Sequence, residues 1–251
     1  MSMDEAATAA QRPHMALVGA GPGAADLLTL RAHRLLLAAD VVVHDALVDL
    51  SVLEDVGARR IDVGKRAGHH KLGQAQINDL LVDLWRAGER VVRLKGGDPM
   101  VLGRGSEELL HLAVAGIPCE VVPGVTSATA APLLAGIPVT HRGVADAFCV
   151  VSAHPRMEDG NYTLPSFEPR MTVVLLMGVR TLAAWRAALL ERGYPRDTPL
   201  AFVTWAGRAE QRTLRTTIGG ALKTAQVHDL QSPTVAIVGA VVAVMADYTV
   251  D

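Results

Sequence analysis

The stretch VVRLKGGDPMVLGRGSEEL, residues 91–109, joins an apolar strand to two glycine-rich turns before a helical pattern begins. Ligands of open α/β sheets bind beyond the carboxyl ends of strands, which is where Lys95-Gly96-Gly97-Asp98 falls. Glycines leave the backbone bare, so a flat ligand can lie against it, and a carboxylate can hold a ribose or a cationic group. A tight turn with a solvated aspartate is the structural alternative for this loop.

Strand and helix patterns alternate on both sides of this stretch. Apolar runs predict strands at 15–21, 40–45, 60–64, 90–97 and 118–124. Helical periodicity predicts helices at 30–39, 77–88 and 106–116. Because these strands are apolar on both faces and are separated by helices, they predict a parallel sheet that is covered on both sides.

The second half of the chain has more strands and fewer helices. Strands are predicted at 147–154, 172–178, 199–205, 211–218 and 232–239, with helices near 180–192 and 219–229. QRTLRTTI (211–218) alternates polar and apolar residues, which is typical of an edge strand in a mixed or antiparallel sheet. We therefore predict an α/β fold of two α/β domains, residues 15–142 with a parallel sheet and residues 143–251 with a mixed sheet, after a flexible tail at 1–14.

Composition excludes several classes of function. A net charge of −2 and a pI near 6.5 provide no general attraction to nucleic acid or to anionic membranes. Residues 1–13 contain no apolar core of a secretion signal, and the longest apolar run, near 235–246, is too short to span a bilayer. Cys119 and Cys149 lie in apolar runs. This position predicts that both are buried free thiols in a reducing compartment. We predict a cytoplasmic protein that binds neither nucleic acid nor membrane.

Histidines and basic residues suggest anion binding and no metal site. The nine histidines include His69-His70, but neither H-x-x-x-H on a helix nor C-x-x-C occurs. Residues Lys65 to Lys71 form a basic run, which has two interpretations, a solvated loop or a site for anions. With Arg104, His141 and Arg142, this run predicts a clamp for a substrate with several carboxylates, because guanidinium groups grip carboxylates bidentately.

The loop Gly19–Ala24 matches the dinucleotide fingerprint G-x-G-x-x-A, and Asp45 ends the next strand, where a ribose-binding acid would lie. However, Pro22 removes an amide donor that a pyrophosphate would need, and no Gly-Lys-Ser/Thr is present for a triphosphate. These features argue for an enzyme that binds a different nucleoside ligand, but two further hypotheses stay open. They are an NAD(P)-dependent oxidoreductase and a non-catalytic nucleotide-binding module.

Taken in order, these loops resemble the tetrapyrrole methylase family. The matching stretches include VGAGPGAADLLTLRA (18–32), VVRLKGGDP (91–99), GRGSEE (103–108), VVPGVTSA (121–128) and QSPTVAIVG (231–239). The order GGDP, GRG and EE is similar to the pattern of one branch of this family. That branch methylates uroporphyrinogen III at C-2 and C-7 to give precorrin-2. A sister precorrin methyltransferase of cobalamin synthesis is the alternative. The resemblance implies two α/β domains with the active site in the cleft between them, and a homodimer.

The resemblance also implies the ligands and the site residues. S-Adenosyl-L-methionine would be the methyl donor, S-adenosylhomocysteine its product, and a tetrapyrrole the substrate. Asp45 would be the proton acceptor, with a helix N-cap as its structural alternative; Lys65 would be a proton donor, and Arg104 would orient the substrate. The donor would contact Pro22, Gly96, Gly97, Asp98, Val101, Thr126, Ser127, Met177 and Ala206. This chain departs from the family pattern at Ala46, Met100, Leu176 and Ala206.

Overall fold

The computed structural model describes residues 14–64, 72–155 and 160–246. The packing divides the chain into two compact units between Thr126 and Ser127. The boundary predicted from the sequence lies later, after residue 142. The two positions differ because the segment that follows Thr126 packs with the second sheet.

The first unit contains a five-stranded sheet in which all strands are parallel, as predicted. Its strands are β1 (His14–Gly19), β2 (Val41–His44), β3 (Arg59–Asp62), β4 (Arg90–Lys95) and β5 (Cys119–Val122), in the order β3-β2-β4-β1-β5. Its helices are α1 (Leu30–Ala38), α2 (Gln74–Arg86) and α3 (Gly105–Val114).

Helices pack on both faces of this sheet. Neighbouring residues of a strand point to opposite sides, so each strand contributes apolar side chains to both faces. Val92 of β4 packs in one apolar cluster with Leu36 of α1. Val91 lies in the other cluster, with Leu81 of α2 and Leu112 of α3. The unbroken apolar runs of the sequence reflect this burial on two sides.

Two helix starts have local causes. The Thr29 hydroxyl accepts a hydrogen bond from the Ala32 amide, at 3.2 Å, and caps α1. Helix α2 begins at Gln74, before the apolar periodicity that predicted it, because the Gln76 side chain accepts a hydrogen bond from the Gly73 amide at 2.8 Å.

The second unit contains a mixed five-stranded sheet. Its strands are β6 (Ala147–Ser152), β7 (Met171–Leu176), β8 (Pro199–Thr204), β9 (Arg212–Thr217) and β10 (Thr234–Val238), in the order β6-β7-β10-β8-β9. Its helices are α4 (Ser127–Leu134), α5 (Leu182–Glu191) and α6 (Ala221–Val227). Strand β9 pairs antiparallel with β8 at the edge of the sheet, which confirms the prediction made from its alternating sequence.

Helix α4 was missed in the sequence, because its residues SATAAPLL show no amphipathic periodicity and contain Pro132. Its small residues Ala128 and Ala131 are fully buried, in one apolar cluster with Val174 and Ile237 of the second sheet. This packing assigns α4 to the second unit.

The cysteines are free, as predicted, and each is partly buried. Burial raises the pKa of the Cys119 thiol to about 11 and also raises that of Cys149. Within the described ranges, no helix combines the length and the apolar character that a membrane crossing requires. The same ranges hold no cluster of three His, Cys, Asp or Glu side chains suited to a metal ion.

Candidate active site

Three loops meet at the carboxyl edge of the first sheet, after β1, β4 and β5. Gly21 and Gly97 form an antiparallel bridge in which each amide donates to the other's carbonyl, at 3.2 and 2.8 Å. The Ala20 amide donates to the Lys95 carbonyl at 2.7 Å. The glycine-rich loop that holds Pro22 is therefore fixed to the loop that holds Gly96, Gly97 and Asp98.

Close backbone packing accounts for two of the glycines. A Cβ atom on Gly19 would lie 2.5 Å from the Gly124 nitrogen, and one on Gly124 would lie 2.2 Å from the Gly97 oxygen. A side chain at either position would push whole loops apart. Gly96 is different, because it is exposed and no atom lies within 4 Å of the position that its Cβ would take. Its bare backbone is available to a ligand.

Asp98 ties two of these loops together. Its Oδ1 accepts a hydrogen bond from the Met100 amide at 2.8 Å, and its Oδ2 accepts one from the Gly124 amide at 3.1 Å. The Val101 amide donates to the Asp98 carbonyl at 3.3 Å. The half-buried Asp98 side chain therefore holds the loops after β4 and β5 together. The alternative of a tight turn with a solvated aspartate is wrong, because both carboxylate oxygens accept hydrogen bonds from backbone amides.

Asp45 lies directly after β2, and its side chain is 35% exposed. Its Oδ1 accepts a hydrogen bond from Arg93 Nη2 at 2.5 Å, and its Oδ2 lies 3.6 Å from Lys95 Nζ. The neighbouring 3₁₀-helix Leu50–Leu53 is capped by Asp49, whose Oδ1 accepts from the Ser51 amide. The carboxylate of Asp45 is thus engaged by two cations, and Asp49 performs the capping.

Behind Asp45 lies a buried glutamate that the sequence reading missed. Glu108, in the first turn of α3, is fully buried. Its Oε1 accepts hydrogen bonds from Arg93 Nη2 at 3.1 Å, from Lys95 Nζ at 3.1 Å and from Gln74 Nε2 at 3.0 Å. We call Asp45, Arg93, Lys95 and Glu108 the charged quartet.

Arg93 remains charged within this quartet. Burial by itself lowers the pKa of its guanidinium, but attraction by Asp45 and Glu108 outweighs burial and raises that pKa above its ordinary value. A signal for the quartet does exist in the sequence. Arg93 and Lys95 are two residues apart in a strand whose other buried residues are apolar, so both side chains lie on one face of a buried sheet.

Arg104 lies near the quartet but has a partner of its own. Its Nε and Nη2 donate to the two carboxylate oxygens of Glu107, at 2.9 and 2.6 Å, and both side chains are more than half exposed. The hydrogen bond from Arg104 lowers the pKa of Glu107, and attraction by Lys95 contributes to the shift. Arg104 has a φ of 58°, an unusual backbone conformation that is often found at functional sites.

Two predicted donor residues, Met177 and Ala206, lie at one edge of the second sheet. Strands β7 and β8 both run antiparallel to β10, which lies between them, so their carboxyl ends share an edge. Met177 and Trp205 follow these ends with φ values of 62° and 53°. Ala206 packs in the same cluster as Ala128, which directly follows Ser127. Strained backbone at strand ends supports a functional site on this edge as well.

A profile of the Tetrapyrrole (Corrin/Porphyrin) Methylases matches residues 14–221. The chain belongs to this family. The chain is 48% identical over 231 residues to the siroheme synthase of Chromobacterium violaceum and 45% identical to that of Pseudomonas fluorescens. Each alignment covers 90% of this chain and 49% of the relative, so the chain spans about half the length of these curated relatives.

Solved structures agree with the family. The uroporphyrin-III C-methyl transferase of Thermus thermophilus, crystallised with S-adenyl homocysteine, is 40% identical, with a TM-score of 0.78. The match covers 92% of this chain and 99% of that chain. A cobalt precorrin-4 methyltransferase is 25% identical, with a TM-score of 0.77 and coverage of 93% and 97%.

The predicted site residues fall into two sets, one in each unit. Pro22, Gly96, Gly97, Asp98, Val101 and Thr126 lie in or beside the loops at the edge of the first sheet, with Asp45 next to them. Ser127, Met177 and Ala206 lie in the second unit. Lys65 and the basic run that follows it lie outside the described residues.

Proposed function

We propose that this chain transfers methyl groups from S-adenosyl-L-methionine to C-2 and C-7 of uroporphyrinogen III, giving precorrin-2 and S-adenosylhomocysteine. One observation carries the proposal: the half-exposed Asp45 carboxylate is held by two buried cations at the edge of a sheet whose loops expose bare backbone. The similarity to the Thermus thermophilus enzyme over nearly its whole length supports this substrate. The siroheme synthase relatives support a role in the synthesis of siroheme.

The loops fit the methyl donor better than they fit a phosphate ligand. S-Adenosylmethionine, when bound, supplies an electrophilic methyl group on a cationic sulfur. Lys95, the lysine beside the glycines, turns inward and places its Nζ 3.1 Å from Glu108 Oε1. Gly96 leaves room for a flat group, and the half-buried Asp98 provides a negative charge beside it. A nucleoside without phosphates is therefore the ligand that this edge suits.

The proposed roles of the reactive residues follow from the charge that develops on the macrocycle. When a pyrrole carbon takes the methyl group, the C–S bond breaks with its electrons left on sulfur, and the macrocycle becomes cationic. Asp45 is proposed to stabilise that charge and to accept the proton that leaves. Arg104 is proposed to orient a carboxylate of the substrate and Lys65 to donate a proton. Alignment of the two reactants supplies much of the acceleration.

The experiment that tests this function is an anaerobic incubation with uroporphyrinogen III and methyl-labelled S-adenosylmethionine, with product masses recorded. We expect the product to gain two labelled methyl groups. Label transfer to a later precorrin alone would identify a sister methyltransferase. Stabilisation by NAD(H) without stabilisation by S-adenosylhomocysteine would identify an oxidoreductase. Donor binding without transfer to any tetrapyrrole would identify a binding module.

Gly96→Ala tests whether the donor lies against the first sheet. No atom lies within 4 Å of the Cβ that alanine would add, so the free energy of unfolding should change by less than about 0.5 kcal/mol. If the donor lies against this backbone, the methyl group should weaken S-adenosylhomocysteine binding about tenfold, measured by titration calorimetry. Gly57→Ala is the matched control, because Gly57 is also exposed and has equal space around it. Unchanged affinity in Gly96→Ala would place the donor elsewhere.

The homodimer and the cytoplasmic location stay predictions from the sequence and the family. Size-exclusion chromatography with light scattering measures the first directly.

A further inference from the structure

The charged quartet links the exposed Asp45 to a glutamate that has no access to a ligand. We propose that Glu108, acting through Arg93 and Lys95, is a positioning residue that holds the Asp45 carboxylate in its reactive place. The inference rests on the proposed function, because it concerns how Asp45 serves methyl transfer. Glu108 itself contacts no reactant, since its side chain is fully buried.

The contacts form a chain from the interior to the surface. Arg93 lies between the two acids: its Nε is 3.2 Å from each oxygen of Glu108, and its Nη2 is 2.5 Å from Asp45 Oδ1. Arg93 Nη1 donates to the carbonyls of Val43 and Leu94, each at 3.3 Å, which fixes the guanidinium to strands β2 and β4. Lys95 makes a second link, 3.1 Å from Glu108 and 3.6 Å from Asp45.

Exposure increases along this chain of contacts. The side chains of Glu108, Arg93 and Lys95 are 0%, 2% and 5% exposed, and that of Asp45 is 35% exposed. Each Asp45 oxygen faces one of the two cations, so the carboxylate is oriented from behind while its outer side stays open. The surface pair Arg90–Asp40 makes the contrast, because its cation is 38% exposed, whereas both cations beside Asp45 are buried.

Charge balance explains why Glu108 affects Asp45 without touching it. The quartet contains two cations and two carboxylates, and its formal sum is zero. Removing the Glu108 charge would leave two poorly hydrated cations with Asp45 as their one carboxylate partner in the quartet. Uncompensated buried charge is costly, so Asp45 would be drawn inward. Buried ion pairs seldom add stability over apolar residues of similar size, which makes a role in positioning the better explanation of this one.

Glu108→Gln tests the inference, because it preserves the shape of the side chain and removes its charge. We expect kcat for methyl transfer to uroporphyrinogen III to fall about 100-fold, as displacement of a reacting group by about 1 Å can cause. The KM for the tetrapyrrole and the Kd for S-adenosylhomocysteine should stay within about threefold, since neither ligand contacts Glu108.

Charge-balance rescue separates positioning from a loss of folding. The double variant Glu108→Gln/Lys95→Met removes one charge of each sign, and its kcat should exceed that of Glu108→Gln about tenfold. Leu112→Ala is the structural control: Leu112 lies one turn further along α3 and is buried, and its truncation destabilises the protein without changing charge. Its kcat, measured below its melting temperature, should stay within about threefold of wild type.

Urea unfolding provides a readout that does not depend on activity. Asp45→Asn and Glu108→Gln each leave one excess positive charge, and the double variant leaves two. The double variant should therefore be destabilised by more than the sum of the single variants.

Three results would overturn the inference. They are a kcat of Glu108→Gln within about threefold of wild type, a Lys95→Met rescue variant slower than Glu108→Gln alone, or additive unfolding free energies. A wild-type protein that transfers no methyl group would instead refute the proposed function. In that case the unfolding cycle still decides whether the quartet couples Glu108 to Asp45.

Discussion

Asp45→Asn is expected to lower kcat for methyl transfer by about 10²- to 10⁴-fold, the range for loss of a positioned proton acceptor. Asparagine has nearly the same volume and can still accept from Arg93, but it carries no charge and accepts no proton from the macrocycle. Binding of S-adenosylhomocysteine should stay within about threefold of wild type, because Asp45 is proposed to act on the macrocycle and not on the donor. Initial rates with labelled donor and titration calorimetry measure the two quantities.

Asp55→Asn is the matched control for this change. Asp55 is an exposed carboxylate of the same unit, outside the candidate site, and its substitution should leave kcat within about twofold of wild type. An Asp45→Asn protein that keeps more than about a tenth of the wild-type kcat would show that Asp45 is not the proton acceptor.

Asp98→Ala is expected to weaken donor binding about 100-fold and to lower the free energy of unfolding by about 2 kcal/mol. The stability falls because the Met100 and Gly124 amides lose their charged acceptor. Donor binding falls because the loops after β4 and β5 lose the link that holds them in register, and the site loses its negative charge. Calorimetric titration with S-adenosylhomocysteine and urea unfolding measure the two effects.

Asp98→Asn removes the negative charge of the side chain and preserves part of its hydrogen bonding. The asparagine amide oxygen can still accept one of the two hydrogen bonds, so its loss of stability should be about half of that of Asp98→Ala. If Asp98→Ala loses stability but binds S-adenosylhomocysteine within about threefold of wild type, the carboxylate has a structural role alone, and the donor does not depend on it.

Much of the fold could be predicted because its signals are local. Strands apolar on both faces indicated the parallel sheet, and alternation in QRTLRTTI indicated the edge strand, since both patterns follow directly from the period of a strand. The position of the glycine loops at carboxyl ends of strands followed from the order of strand and helix alone. Helix α4 escaped prediction because its burial depends on small residues that fit the second sheet, and a stretch of alanines has no amphipathic period.

The sequence by itself determined the two α/β domains, the strand ends that carry polar and glycine residues, and the resemblance that named Asp45 and Asp98. Only the tertiary structure decided which of these residues meet. Arg93 bonds Asp45 across 48 positions of sequence, and Asp98 reaches Gly124 across 26. Local patterns report the period and burial of one element at a time, whereas ion pairs and backbone contacts of this kind arise between elements that packing brings together. For that reason the buried Glu108 behind Asp45 became visible only in the folded protein.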